Sequence, residues 1–152
     1  MSCCCQDLAD LAVIPMGGDG LDERVFATVK RLMDHGKGAW WLYLSRCEAC
    51  GQHWLVAQEE RIFDDYFLRR LAEDEAQSVI SEHQWPDEFI TYEGVLRIGQ
   101  KLSSPCRFID PLSPSLVWTA KDLRQERPDI TAEEIAWLVG VTELEAFRLL
   151  SA

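Results

Sequence analysis

Basic residues are scarce in this chain. Fifteen lysines and arginines stand against 26 aspartates and glutamates in 152 residues, giving a formal net charge of −11. A surface of that sign argues against non-specific binding to nucleic acid or to an anionic membrane, because both need a basic field. Long apolar runs are missing as well. No stretch approaches the ~20 apolar residues of a membrane span. The N-terminus has neither the positive region nor the sustained apolar segment of a secretory signal, so a cytoplasmic protein with reduced thiols is expected. Glycine-rich phosphate loops, a G-x-S-x-G elbow and an H-E-x-x-H helix are all absent from the sequence, which excludes the best-marked enzyme classes. The three histidines, His35, His53 and His83, have no nearby serine or cysteine with an obvious third partner. Only a polar pocket placing His35 or His83 beside an acid would bring an enzyme back into view. The acid pairs Glu59-Glu60 and Asp64-Asp65 read most simply as a turn and a helix start.

What the chain does have is apolar mass and cysteine. Hydrophobic residues make up 47% and there are six tryptophans, enough for a globular core of its own. Six cysteines without a secretory context favour metal or redox use over structural disulfides. Cys3-Cys4-Cys5 could carry palmitate in a eukaryote, but no basic or apolar signal accompanies them. The acid is concentrated: residues 57–93 hold eleven acidic residues against Arg61, Arg69 and Arg70. Such a stretch reads as a solvated face or as a docking surface for a basic protein partner.

The most informative segment is Cys47-Glu-Ala-Cys50 followed by Gly51 and Gln-His-Trp54. Two cysteines two residues apart, with glycine directly after, suit a tight turn that aims two thiolates at one ion. The flanks, Trp40-Trp41-Leu-Tyr-Leu-Ser45 and His53-Trp54-Leu-Val-Ala57, are rich in aromatic and β-branched residues, as paired strands are. The segment, about residues 40–60, resembles a zinc-ribbon or rubredoxin-type knuckle. The resemblance implies a structural zinc ion and no catalysis, with Cys47 and Cys50 as ligands. A structural site needs four ligands, and the second C-x-x-C of that family is missing here. Completion falls to Cys3, Cys4, Cys5, Cys106 or His53. The N-terminal cluster is favoured, because a flexible lead-in can fold back over the hairpin. A thioredoxin-like role fits less well, since that motif lies between a strand and a helix.

Helical spacing of Leu21, Val25, Val29, Leu32 and Met33 predicts a helix stopping at Gly36, with His35 at its C-terminal end. A second helix is expected over residues 65–81, from Leu68, Leu71, Ala72, Ala76, Val79 and Ile80. A third opens at Pro86 and ends near Gly99, and Arg107-Phe-Ile109 is expected as a short strand. In the tail, Thr119 with Asp122, Thr131 with Glu134 and Thr142 with Glu145 have capping-box spacing and predict three short helices. Ile135-Ala136, Val139-Gly140-Val141-Thr142, Ala146 and Leu149 resemble a bacterial helix-turn-helix. The same residues are similar to a ubiquitin-associated-type three-helix bundle, and the resemblance covers about residues 119–151. The second helix carries two acids and one base, and lacks the usual base-reading side chains.

Together these features predict an α+β fold, mainly helical, with a small β-hairpin carrying the C-x-x-C knuckle and a C-terminal three-helix segment. The division expected is a core over residues 1–112 and a helical segment over 113–152. The expected function is a small acidic, non-catalytic binding protein, comparable to immunity proteins and other acidic inhibitors. The alternative is a helix-turn-helix transcription regulator that binds DNA.

Overall fold

The computed structural model describes residues 2–152, which divide into two compact units. The first comprises residues 2–59 and 65–90, the second residues 60–64 and 91–152.

The first unit is built on a five-stranded antiparallel sheet. Its strands are β1 (Leu11–Pro15), β2 (Val29–Gly36), β3 (Ala39–Cys47), β4 (His53–Glu59) and β5 (Asp65–Leu71), in the order β1-β5-β4-β3-β2. The expected hairpin is present: Leu42 faces Ala57, Leu44 faces Leu55 and Arg46 faces His53. It is the centre of the sheet, not an isolated ribbon, so the expectation of a mainly helical fold is overturned. The molecule is a mixed α+β structure in which a five-stranded sheet accompanies the helices.

Two strands were hidden behind helical spacing. The first helix, α1 (Leu21–Phe26), ends after six residues, and Val29, Leu32 and Met33 belong to β2 instead. β2 is an edge strand with register shifts at Arg31/Met33 and Asp34/Gly36, so it lacks the alternation that marks a half-buried strand. Gly36 (φ +73°), Lys37 (φ +52°) and Gly38 (φ +89°) form the turn into β3. Gly36 therefore closes a hairpin, and His35 lies on a strand. Likewise Leu68 and Leu71 lie on β5, which is paired on both sides by β1 and β4; those long-range ladders override the local pattern. The helix expected over residues 65–81 is reduced to α2 (Glu73–Glu82).

Alternation across the strands sorts the core into two faces. On one, Ala12, Ile14, Tyr43, Trp54, Val56 and Leu68 cluster with Val25 of α1 and with Cys5. On the other, Leu42, Leu44, Leu55, Phe67 and Leu71 are buried. There Arg69 reaches Glu75 at 2.8 Å and Glu88 at 2.9 Å, and the Trp41 indole N–H donates to the Phe89 carbonyl at 2.8 Å.

The second unit is helical: α3 (Tyr92–Leu102), α4 (Pro114–Glu126), α5 (Ala132–Val139) and α6 (Glu143–Ser151). Pro86 precedes only a 3-10 turn, Asp87–Phe89, in the first unit; α3 starts at Tyr92 because the Thr91 hydroxyl accepts the Gly94 amide at 3.0 Å. Gly99 does not end α3. It lies inside the helix, against the Phe63 ring, where an added Cβ would stand 2.5 Å from a ring carbon. No strand forms at Arg107–Ile109. The box expected at Thr119 is also absent, because Pro114 at the first helical position starts α4 earlier. Thr119 is buried mid-helix and Asp122 pairs with Arg61 at 2.6 Å. The other two boxes form as expected, Thr131 with Glu134 and Thr142 with Glu145, and Gly140 ends α5 in the left-handed region at φ +75°.

Ion pairs knit these helices together. Arg127 donates to Glu93 at 2.9 Å and also to Glu134, and Arg97 donates to Glu93 at 2.7 Å. Burial of Glu93 opposes ionisation, but the two guanidiniums outweigh it and hold the carboxyl below its ordinary range. The Glu126 carboxylate accepts the Tyr92 and Glu93 amides at 2.9 and 3.1 Å, closing the start of α3.

Candidate metal centre

The tip of the β3–β4 hairpin is a knuckle fixed by its own backbone. The Cys47 amide donates to the Gln52 carbonyl and the Gly51 amide to the Cys47 carbonyl, both at 2.8 Å. Gly51 has φ +81°, a conformation open to glycine at little cost and to other residues under strain. The Glu48 amide donates to the Thr28 carbonyl at 2.8 Å and so ties the tip to the start of β2.

The N-terminal residues meet this tip. Residues Cys5–Asp7 form a 3-10 turn, and the turn is gripped by Arg70 of β5. One guanidinium nitrogen donates to the carbonyls of Cys5 and Leu8, both at 2.8 Å, and another to Asp10 at 3.0 Å. The guanidinium also lies 4.4 Å from the centroid of the Trp54 ring, a cation–π contact. The outcome is a cluster of four thiols. The Sγ atoms of Cys3, Cys5, Cys47 and Cys50 all lie within 4.8 Å of one another. Cys5 and Cys47 are buried, Cys3 is half-buried and Cys50 is exposed; all six cysteines are free thiols.

The arrangement suits a tetrahedral ion. Zinc–sulfur bonds of about 2.3 Å put the four sulfurs about 3.8 Å apart, a contraction of at most ~1 Å from the spacing seen here. The surroundings treat the thiols differently. The Trp54 indole N–H donates to Cys5 Sγ at 3.4 Å, and the Thr28 hydroxyl lies 3.4 Å from Cys47 Sγ. Burial works against ionising Cys47. The Thr28 hydroxyl and the amides of Cys50 and Ala49 outweigh it and bring the thiol down to about 6. Cys5 goes the other way: burial first, then the Cys50 and Cys47 thiols, push it up to about 12 against the pull of Trp54. Cys3 is also raised. A hydrogen bond from the Cys5 backbone lowers it, but the Cys50 thiol, burial and the Cys47 thiol prevail. Such a set takes up a cation by releasing protons.

No family model, curated protein or solved structure matches this chain. The site stands on its own geometry.

Of the ligands weighed for completing the Cys47–Cys50 pair, the structure brings in Cys3 and Cys5. Cys4, between them, stays outside the cluster. Cys106 belongs to the second unit, with its Sγ 3.4 Å from Asp64. His53 points away from the thiols, with Nδ1 3.7 Å from Glu73. Burial lowers its basicity more than Glu73 raises it, so the ring is neutral at pH 7 and the contact is not an ion pair. Thr28, Trp54 and Arg70 are the supporting residues that sequence reasoning missed. Trp54 adjoining the knuckle was the one available signal, and it read equally well as a strand residue.

A cavity of about 350 Å³ does hold His35 and His83 beside Asp34. Its acid is bound to Arg31 at 3.1 Å, and the His35 Nδ1 faces the Gly36 carbonyl at 2.8 Å. Among the described residues, Met33, Lys37 and Trp85 complete its lining.

Proposed function

We propose that this chain is a non-catalytic binding protein. In this reading a structural zinc ion fastens the N-terminal arm to the hairpin tip, and the acidic exterior docks on a basic surface of a protein partner. The observation that carries the metal is the donor set: four thiols from two distant parts of the chain, mutually within 4.8 Å. Four sulfur ligands complete a tetrahedral shell and leave no open position for a substrate, as in structural rather than catalytic zinc sites. Soft sulfur donors also favour zinc over magnesium or calcium.

Docking is supported by the net charge of −11 and by how the acids are used. Glu75 and Glu88 are held by Arg69, whereas Asp74, Glu82 and Asp87 are exposed. Attraction of this kind acts mainly on the association rate and is screened by salt.

Elemental analysis of the native protein, with a thiol count before and after chelation, tests the metal. The expected result is one zinc per chain, with Cys4 and Cys106 reactive at the outset and all six thiols reactive after chelation. Metal-free protein with six reactive thiols from the start would end this reading. For the docking surface, association with a captured partner is expected to slow steeply between low and physiological salt.

The close pairing of α5 and α6 around Gly140 supports the second reading, a DNA-binding helix-turn-helix. Against it, α6 presents Glu143 and Glu145 with Arg148 as its one base, and carboxylates there repel phosphates. Specific retention of a promoter fragment in a low-salt mobility-shift assay would reverse the order of the two readings.

A further inference from the structure

The four thiols of the cluster are not equivalent. Cys5 and Cys47 are buried, whereas Cys3 is half-buried and Cys50 is exposed. They divide into an inner and an outer pair. Oxidation of cysteine follows exposure, so an oxidant arriving from solvent meets Cys50 first.

Geometry also selects the partner of Cys50. All four Sγ atoms lie within 4.8 Å of one another, so closing to the ~2.05 Å of a disulfide takes a shift of under ~3 Å. Cys3 lies outside any helix or strand, and Cys50 lies in the turn between β3 and β4. Joining them bends irregular chain only. The inner pair is held in place. Arg70 grips the Cys5 carbonyl at 2.8 Å, and Cys5 Sγ receives the Trp54 N–H at 3.4 Å. Cys47 Sγ receives the amides of Cys50 and Ala49 and lies 3.4 Å from the Thr28 hydroxyl. A neutral disulfide sulfur accepts hydrogen bonds more weakly than a thiolate, so drawing Cys47 into a disulfide forfeits those contacts.

We propose that the cluster is an oxidation site at which hydrogen peroxide joins Cys3 to Cys50, expels the zinc ion and leaves Cys5 and Cys47 as thiols. The proposal rests on the metal reading above and adds its regulation. The Cys50 thiolate attacks the peroxide O–O bond, giving a sulfenic acid and hydroxide. The Cys3 thiolate then attacks the Cys50 sulfur, forming the S–S bond and releasing a second hydroxide. Each sulfur gives up one electron, peroxide takes up two, and protons from solvent convert both hydroxides to water. Two thiol ligands remain, too few for the four-coordinate shell of a structural zinc site. The disulfide bridges the same two segments as the ion, so the N-terminal turn stays fastened to the hairpin tip in both states.

The test treats the full zinc-loaded chain with an equimolar amount of hydrogen peroxide, then blocks free thiols with N-ethylmaleimide under denaturing conditions. A chromogenic indicator reads released zinc, and mass spectrometry of proteolytic peptides reads the bonds. Release of the zinc is expected, with a peptide cross-linked through Cys3 and Cys50 and with Cys5 and Cys47 alkylated. Cys4 and Cys106 should be alkylated before and after treatment. Cys50→His keeps a zinc-binding side chain but removes the exposed thiol, so this variant should retain its zinc through the same treatment. In zinc-loaded Cys3→His, the sulfenic acid at Cys50 should persist long enough for capture by dimedone. Where either variant fails to load zinc, the peptide map of the unsubstituted chain decides. A bond between Cys47 and Cys50, oxidation to sulfinic acid without a disulfide, or zinc held through the treatment would each overturn the proposal. Should the native protein carry no zinc, the metal reading fails first, and the map still decides whether Cys3 and Cys50 pair.

Discussion

The two units of this molecule are held by different kinds of contact. In the first, the decisive partners are far apart in the chain. Leu11 pairs with Arg69, Arg70 grips the Cys5 and Leu8 carbonyls, and Cys3 and Cys5 meet Cys47 and Cys50. In the second, order begins locally: Thr91, Thr131 and Thr142 each accept an amide three residues on, and ion pairs around Glu93 then join the helices. Loop closure costs entropy before long-range contacts repay it. A unit of the first kind would gain from a cross-link at the thiol cluster, where the N-terminal turn meets the hairpin tip. A unit of the second kind has no such need.

Removing the cross-link should produce the largest effect and confine it to one side of the comparison. Cys47→Ser takes away the buried candidate ligand, whose thiol is brought down to about 6. Zinc affinity is expected to fall by more than the ~10–100-fold typical of substitutions next to a metal ligand. Hydrogen exchange should quicken in residues 3–8 and 47–52 and stay unchanged in 114–151; loss of protection throughout would break the distinction. Protonation sharpens the same test. With Cys5 near 12 and Cys3 raised, both are protonated at pH 7 before metal arrives, whereas Cys47 near 6 is not. Zinc uptake at pH 7 should release protons from Cys3 and Cys5, and affinity should climb as pH rises through neutrality. Calorimetry in buffers of different ionisation enthalpy reads that release directly. Without metal the sign for Cys47 is fixed too. Its folded value lies below the ordinary 9.0, so its stabilising contribution is complete above that value and is lost as pH falls through 6.

The same contrast governs what could be read in advance. The hairpin and its two cysteines were legible because strand, turn and strand are contiguous. Helices α5 and α6 were legible because Thr131 and Thr142 announce their own starts. β2 and β5 were not: one is an edge strand broken by bulges, and the other has leucines at 68 and 71 whose spacing suits a helix just as well. Only the β1 and β4 ladders decide β5, and those pairings lie beyond any local window. For the same reason Cys3 and Cys5 could be suspected but not separated from Cys4, and Arg70, assigned to a helix, could not be seen as the clamp on their turn.

Trp54 is the next most sensitive position. It is fully buried, stacks under Arg70 and donates to Cys5 Sγ. Trp54→Ala should cost about 3–5 kcal/mol by chemical denaturation. Trp54→Phe keeps most of the packing but removes the N–H, so its zinc affinity should drop about tenfold in a chelator competition. In the second unit the comparable weak point is steric. Gly99→Ala forces a methyl to within 2.5–2.8 Å of three Phe63 ring carbons, and an overpacking cost of about 1–3 kcal/mol is expected. Because Phe63 belongs to the same unit, zinc content should not change.

The smallest expected effects come from the caps, and they probe whether order in the second unit is as local as its hydrogen bonds imply. The Thr142 hydroxyl accepts the Glu145 amide at 3.1 Å, and among the described residues the side chain makes no further hydrogen bond. The Thr131 hydroxyl accepts the Glu134 amide at 3.1 Å and also donates to the Glu134 carboxylate at 3.1 Å. That carboxylate is the one Arg127 holds, so the Thr131 cap is wired into the Glu93 network. Replacing either threonine by alanine orphans one amide, at a cost of about 1 kcal/mol. Thr131→Ala additionally releases a carboxylate that helps position Arg127, so it should cost more than Thr142→Ala in thermal or urea unfolding. Equal losses would mean that the two caps act alone and that the arginine network gains nothing from Thr131. A larger loss at Thr131 would show local punctuation feeding tertiary order, the route by which this unit assembles without a metal.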